Sequence, residues 1–246
     1  MLVQTLKQAA RGLFFFVACS SVASAGAIGV NPVRVTLSNE QKVGTISVSN
    51  NGTEPVTIQV QLLSWSQEGS NAVFTATRDI LSNPPIFTIS AGDKQLVRVG
   101  LRRPPDAQRE QAYRIFLQEL PSLINSGETG AKMLMRISLP VFVLPEVEAK
   151  SELRWQVSRT PQGALKISLT NNGNAHIQIR SFQLFLPDSI QPWVTLQSSD
   201  YVLSDQSRDW ILPINADNPI PLGDVTLQLV AQTDIGQIKS KVLIAP

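Results

Sequence analysis

The sequence predicts an all-β fold in two similar domains. Apolar residues alternate with period two along most segments, turn-forming residues punctuate those segments at short intervals, and one strand-and-turn segment occurs twice. The first alternation places Val33, Val35 and Leu37 against Arg34, Thr36 and Ser38. Thr45 to Ser49 puts Ile46 and Val48 on one face, and Val56 to Leu62 does the same with Val56, Ile58, Val60 and Leu62. Further runs lie at Phe87–Ile89, Gln95–Leu101, Tyr113–Leu117 and Met133–Leu144. Asn50-Asn51-Gly52, Asn83-Pro84-Pro85, Ala91-Gly92-Asp93 and Ser126-Gly127 supply turn chemistry between them. No long helical period competes, and strands of this length and spacing suit sandwiches or barrels.

The repeat sets the domain count. Ile46-Ser47-Val48-Ser49-Asn50-Asn51-Gly52 returns as Ile167-Ser168-Leu169-Thr170-Asn171-Asn172-Gly173, 121 residues later, and each copy turns back into an apolar strand. One such hairpin means little, because Asn-Gly turns are common. Two copies one sandwich apart argue for two domains of one kind. A polar link with Glu146, Glu148 and Lys150 falls between Pro145 and Ser151, so the expected domains are 26–146 and 147–246. So short a link predicts a nearly fixed angle with a cleft between the domains.

The N-terminus reads as an export signal. Lys7 and Arg11 precede an apolar run from Gly12 to Val22, and Ala23-Ser24-Ala25 gives the small-x-small pattern that a signal peptidase cuts after. The run is short for a membrane span, which needs about 20 apolar residues. The competing readings are an uncleaved anchor and lipidation of Cys19, where Phe16 fits poorly the Leu usual three residues earlier. Cleavage after Ala25 leaves 221 residues with 19 basic and 19 acidic side chains. That balance excludes the basic excess of a nucleic-acid binder. The lone cysteine leaves with the signal, so no disulfide or thiolate site is expected in the mature chain.

Catalytic chemistry finds no support. His176 is the only histidine, and it opens a strand as Asn174-Ala175-His176-Ile177, with no Gly-x-Ser-x-Gly elbow to serve. The bland reading is a strand-edge or partly buried side chain. One histidine cannot build the usual zinc site, and no glycine-rich phosphate loop exists. Glu146 and Glu148 read as solvated linker acids. No enzyme activity, catalytic residue, cofactor, metal or small-molecule substrate is expected.

Two features read instead as a binding device. Arg34 and Arg114 sit within apolar runs, and a guanidinium matches carboxylate geometry while staying charged at any working pH. The stretch Ala131–Leu144 is long for a strand, whose usual length is about 5–6 residues. One phase carries Met133, Met135, Ile137, Leu139 and Val141; the other carries Lys132, Leu134, Arg136, Ser138 and Pro140. Such a row is either core or an edge that pairs with a partner, and methionine adapts to varied pockets.

Five stretches in order resemble the periplasmic chaperones of chaperone–usher pilus systems. They are Val30-Asn31-Pro32-Val33-Arg34-Val35; Val48-Ser49-Asn50-Asn51; Val97-Arg98-Val99 after Ala91-Gly92; Tyr113-Arg114-Ile115-Phe116-Leu117-Gln118-Glu119-Leu120-Pro121; and Leu139-Pro140-Val141-Phe142-Val143-Leu144-Pro145. Asn171 to Ile179 resembles the matching segment of the family's second domain. The resemblance implies two immunoglobulin-like β-sandwich domains in an L-shaped or boomerang arrangement. It implies a periplasmic protein whose partners are pilus subunits (pilins) and an outer-membrane usher, and whose donor strand completes an incomplete subunit. The apolar donor positions map onto Met133, Met135 and Ile137. The family holds the subunit's terminal carboxylate with an arginine, matched by Arg34, and with a lysine late in the donor strand. Pro140 stands at that lysine position, a departure that fits the non-classical branches. Arg114, Lys132 and Arg136 are the candidate substitutes, with Arg114 preferred. The alternative is a structural or adhesive Ig-like protein of the cell surface. Against it, Ile244-Ala245-Pro246 is expected to close the last strand with no attachment tail.

Overall fold

The computed structural model describes residues 28–121, 133–212 and 223–245. The expected export signal and cleavage site, and Lys132, lie outside them. The described residues form seventeen strands in two domains.

The first domain is a sandwich. Its four-stranded sheet has the order β1-β3-β8-β6, with β1 Ile28–Asn31, β3 Val43–Asn50, β8 Lys94–Leu101 and β6 Ile80–Asn83. The facing sheet runs β2-β10-β9-β4-β5, with β2 Val35–Leu37, β10 Arg136–Val143, β9 Gln111–Glu119, β4 Val56–Glu68 and β5 Asn71–Ala76; β7 Ile86–Ile89 also pairs with β4. The predicted apolar phases fill the space between the sheets. Ile46, Val48, Val97, Val99, Ile115 and Val141 are fully buried there, with Ile58, Val60 and Leu139 nearly so.

In the second domain the ladder order is β14-β13-β16-β17-β11-β12-β15. These strands are β11 Leu153–Arg159, β12 Leu165–Asn171, β13 Ile177–Phe185, β14 Val194–Val202, β15 Gln206–Leu212, β16 Thr226–Thr233 and β17 Gly236–Ala245. Strand β17 joins the layers, antiparallel to β16 and parallel to β11. Ile167, Leu169, Ile177, Ile179, Phe182 and Leu227 are fully buried in this second core.

Three sequence expectations are corrected. The Asn-Asn-Gly segments are not hairpins: β3 and β4 lie in different sheets, and β12 and β13 share no ladder. Each turn crosses between layers, so its backbone groups lack a strand partner and an asparagine side chain supplies one. Asn50 and Asn171 are fully buried. Each accepts a hydrogen bond at Oδ1 from the amide two residues on, at 3.0 Å. Each also donates through Nδ2 to the carbonyl four residues on, at 2.7 Å. The repeat therefore records a folding device.

Second, Arg34 is not inside a strand. The first strand pairs with β3, bends over Pro32–Arg34, and resumes as β2 parallel to β10. Proline cannot donate to a ladder, which suits a bend where one strand changes sheets. Third, among the described residues of the predicted strand 131–144, only β10 is regular. Its ladder with β9 ends at the pair Arg136–Gln118. Before that, Met133 to Met135 are not in a regular strand, and Met135 keeps one main-chain hydrogen bond to Glu119 at the end of β9.

Candidate functional site

The bend between β1 and β2 carries Arg34 to the junction of the domains. Its guanidinium donates to Asp234 Oδ2 at 2.6 Å, across 200 residues of sequence. Asp234 occupies the turn between β16 and β17 and is anchored there by the Gln178 amide, 3.0 Å from Oδ1. Burial raises the tendency of Asp234 to protonate, but His176, the Gln178 amide and Arg34 outweigh it and hold the carboxyl far below its ordinary range.

Arg114 reaches the junction from β9. It lies directly opposite Pro140 in the β9–β10 ladder. Side chains opposite one another in an antiparallel pair share a face, so Arg114 lies on the same face of the sheet as Pro140. Its Cζ stacks 3.9 Å from the Trp65 ring centre and 5.5 Å from that of Tyr201. Among the described residues it has no carboxylate partner, and its Nε is buried without a hydrogen bond. Burial works against its charge, eased by Tyr201. Tyr201 is itself pushed up by burial, while the charges of Arg34 and Arg114 both oppose that rise. One phenol thus feels both predicted anchors.

His176 is more than a strand-edge residue. Its Nδ1 lies 2.7 Å from Glu110 Oε1, which also accepts from the His176 amide at 3.1 Å. The imidazole stacks on Phe142 at 3.5 Å with planes 7° apart. Trp65, Phe142 and Leu203 form a small apolar cluster that spans the domains, with Ala112 and Tyr201 against it. Around it, Gln67 donates to the Tyr201 carbonyl at 2.8 Å and accepts from the Leu203 amide at 2.9 Å. Arg208 donates to the Ser70 carbonyl. Asn174 donates to the Gln108 and Glu148 carbonyls and accepts from the Lys150 amide at 2.7 Å. Gly173 makes this clamp possible, because a Cβ there would lie 2.2 Å from the Lys150 carbonyl oxygen. The link between the domains is therefore held along its length, and Glu148 pairs with Lys150 as a solvated linker acid.

The donor-strand candidates form a gradient. Val143 and Val141 are fully buried, Leu139 is 5% exposed, Ile137 packs against the margin of the core, and Met133 is 93% exposed. Met135 lies between, its carbonyl accepting from the Glu119 amide and its amide donating to the Glu119 carboxylate. Arg136 lies four residues from Pro140, about 13 Å along the strand, with its Cζ 4.2 Å from the Phe116 ring. It does not join Arg34 and Arg114. Sequence reasoning missed Asp234, Tyr201, Trp65, Phe142 and Glu110, whose meeting depends on domain docking rather than on local pattern.

Among the described residues no cluster of His, Cys, Asp and Glu could hold a metal ion. Residues 27–148 match the family described as pili and flagellar-assembly chaperone, PapD N-terminal domain. No curated protein matches the chain in sequence. Its fold is similar to a chaperone–tip adhesion subunit complex, CsuC–CsuE, from archaic chaperone–usher Csu pili of Acinetobacter baumannii. That match has 21% identity and a TM-score of 0.65, over 90% of this chain and 100% of the other. The E. coli chaperone DraB is similar at 17% identity and a TM-score of 0.58, over 87% of this chain and 96% of the other. The Pseudomonas aeruginosa CupB2 chaperone is similar at 14% identity and a TM-score of 0.55, over 87% and 98%. Residues 27–148 thus form a PapD-like N-terminal domain of the pilus-assembly chaperone family, and the fold of the two sandwiches is that of these solved chaperones.

Proposed function

We propose that this protein is a periplasmic chaperone, exported and cleaved after Ala25, that holds pilus subunits by lending them the strand leading into β10 and passes them to an outer-membrane usher. Its working parts are the domains 26–146 and 147–246. The carrying observation is the apolar phase that leaves its own core: Val141 is fully buried while Met133, on the same phase, is 93% exposed. Side chains that already alternate correctly for one sandwich can complete another, with main-chain hydrogen bonds supplying the pairing. Met133, Met135 and Ile137 are the donor residues. Burying each apolar side chain stabilises by about 1.5–3 kcal/mol before entropy costs.

Arg34 and Arg114 are the carboxylate anchors. Arg114 offers a half-buried cation without a counter-ion among the described residues, and its position opposite Pro140 supports its standing in for the absent lysine. That replacement is the basis for assigning the chain to a non-classical branch. No specific observation favours a structural or adhesive role. The test is co-expression with a candidate pilus subunit: a stoichiometric soluble complex is expected, and a subunit that aggregates equally with and without this chain contradicts the reading.

A further inference from the structure

We propose that the protonation state of His176 sets how firmly Asp234 holds Arg34, and thereby how open Arg34 is to a partner's carboxylate. This rests on the anchor role given to Arg34 above and adds a positioning residue behind it.

The geometry confines the ring on several sides. Its side chain is 12% exposed, with Phe142 stacked on the imidazole and Tyr201 5.7 Å away. Nδ1 faces Glu110 at 2.7 Å to Oε1 and 2.9 Å to Oε2, and the Glu110 side chain is only 3% exposed. Nε2 is buried without a hydrogen bond and faces Asp234 Oδ2 at 3.6 Å. That same oxygen accepts from Arg34 at 2.6 Å. A singly protonated ring that donates from Nδ1 to Glu110 turns a lone pair from Nε2 toward an anionic oxygen. A doubly protonated ring turns an N–H toward it. Only the second arrangement attracts.

Charge counting gives the consequence. Glu110 comes from the segment before β9, Asp234 from the β16–β17 turn and Arg34 from the β1–β2 bend. Tyr201 faces the ring from β14, and Arg114 and Arg180 bear on that phenol. With the imidazole neutral, Arg34 is the cation on which Asp234 relies. With it protonated, Asp234 has a cation of its own, and a third carboxylate can approach Arg34 at less cost. Burial opposes a charge on His176, but Asp234 and Glu110 outweigh it and raise the ring above its ordinary value of 6.5. A bound carboxylate adds negative charge beside this group and must raise it further. By linkage, carboxylate binding is tightest at low pH and weakens as pH rises through the free protein's His176 titration.

The mature chain contains this one histidine, so a single imidazole resonance reports it. The probes are a synthetic peptide with the last strand of a candidate subunit, ending in a free carboxylate, and the same peptide as a terminal amide. The intact mature protein is titrated between pH 5.5 and 8.5, where a peptide carboxylate (pKa about 3.3–3.7) stays ionised. The acid peptide is expected to raise the His176 titration midpoint and the amide to leave it in place. The acid should bind about three- to tenfold tighter at pH 5.5 than at 8.5, with the amide flat across the range. His176→Gln, or Asp234→Asn if that variant does not fold, should flatten the acid's profile. If acid binding depends on Arg34 while the His176 midpoint stays unmoved, this proposal falls and the anchor survives. If acid and amide bind alike and Arg34→Gln changes neither, both fall.

Discussion

Val141 and Met135 stand on the same phase of one segment, six residues apart, in different surroundings: fully buried and half-buried. Val141 is fully buried between two sheets, whereas Met135 lies past the last β9–β10 ladder pair. In the segment before β10 the alternation outlasts the sandwich that explains it. Periodicity therefore reports which face a side chain takes, and a partner strand decides where that face is filled. The asparagine repeat teaches the converse. Asn50 and Asn171 look like surface turn residues, yet both are fully buried and bind backbone groups that change layers.

The sharpest test of the contrast is Val141→Glu, which buries an unpaired carboxylate. A loss of about 4 kcal/mol or more is expected, the range in which single changes unfold domains. Chemical denaturation of the free protein measures it, and a near-native midpoint would erase the distinction between the two ends of the segment. Ile137→Ala, at the core margin, should cost about 1–2 kcal/mol, less than the 2–5 of a fully buried isoleucine.

The anchors sharpen the comparison from the binding side. Arg34→Ala and Arg114→Ala should each weaken subunit capture at least about tenfold, the equivalent of one charge-assisted hydrogen bond of about 1.5–3 kcal/mol. Arg34 is 37% exposed and its pair with Asp234 is partly screened, so its removal should cost the free protein about 1 kcal/mol or less. Equal capture by folded variants in a titration would remove both residues from the site.

The smallest expected effect is on pH. The raised His176 contributes stability that is full below about pH 6.5 and fades as pH rises through its folded titration. The depressed Asp234 contributes above about pH 3.8 and fades as pH falls. The docked domains should therefore melt about 2–4 °C lower at pH 9 than at pH 6. In His176→Gln that difference should shrink; an undiminished difference would assign it to other groups.

Much of the fold was legible because its strands are half-buried. Ile46 and Val48 in β3, and Val97 and Val99 in β8, alternate with exposed neighbours and all four are fully buried. Strand β5 was missed because its residues are mostly exposed, which leaves no apolar alternation to read. The break at Pro32–Arg34 was overlooked because Val33 and Val35 keep the alternation while facing different environments, 69% and 3% exposed. In the candidate site, Arg34 and Arg114 stood out as charges in apolar runs. Asp234 did not, since its turn gives no hint of a partner 200 residues away, nor did Glu110, 66 residues from His176.

The central claim is that the segment before β10 is kept for a partner. Capture of a subunit and thermal melting of the free protein, measured together for Met133→Glu and Met135→Glu, test it most directly. Both variants should melt within about 2 °C of the parent, Met133 because it is exposed and Met135 because it is half-buried outside the core, and both should fail to hold the subunit in solution. A large fall in melting temperature for Met135→Glu with no partner present would make that methionine ordinary core. Undiminished capture by both variants would contradict the donor role altogether.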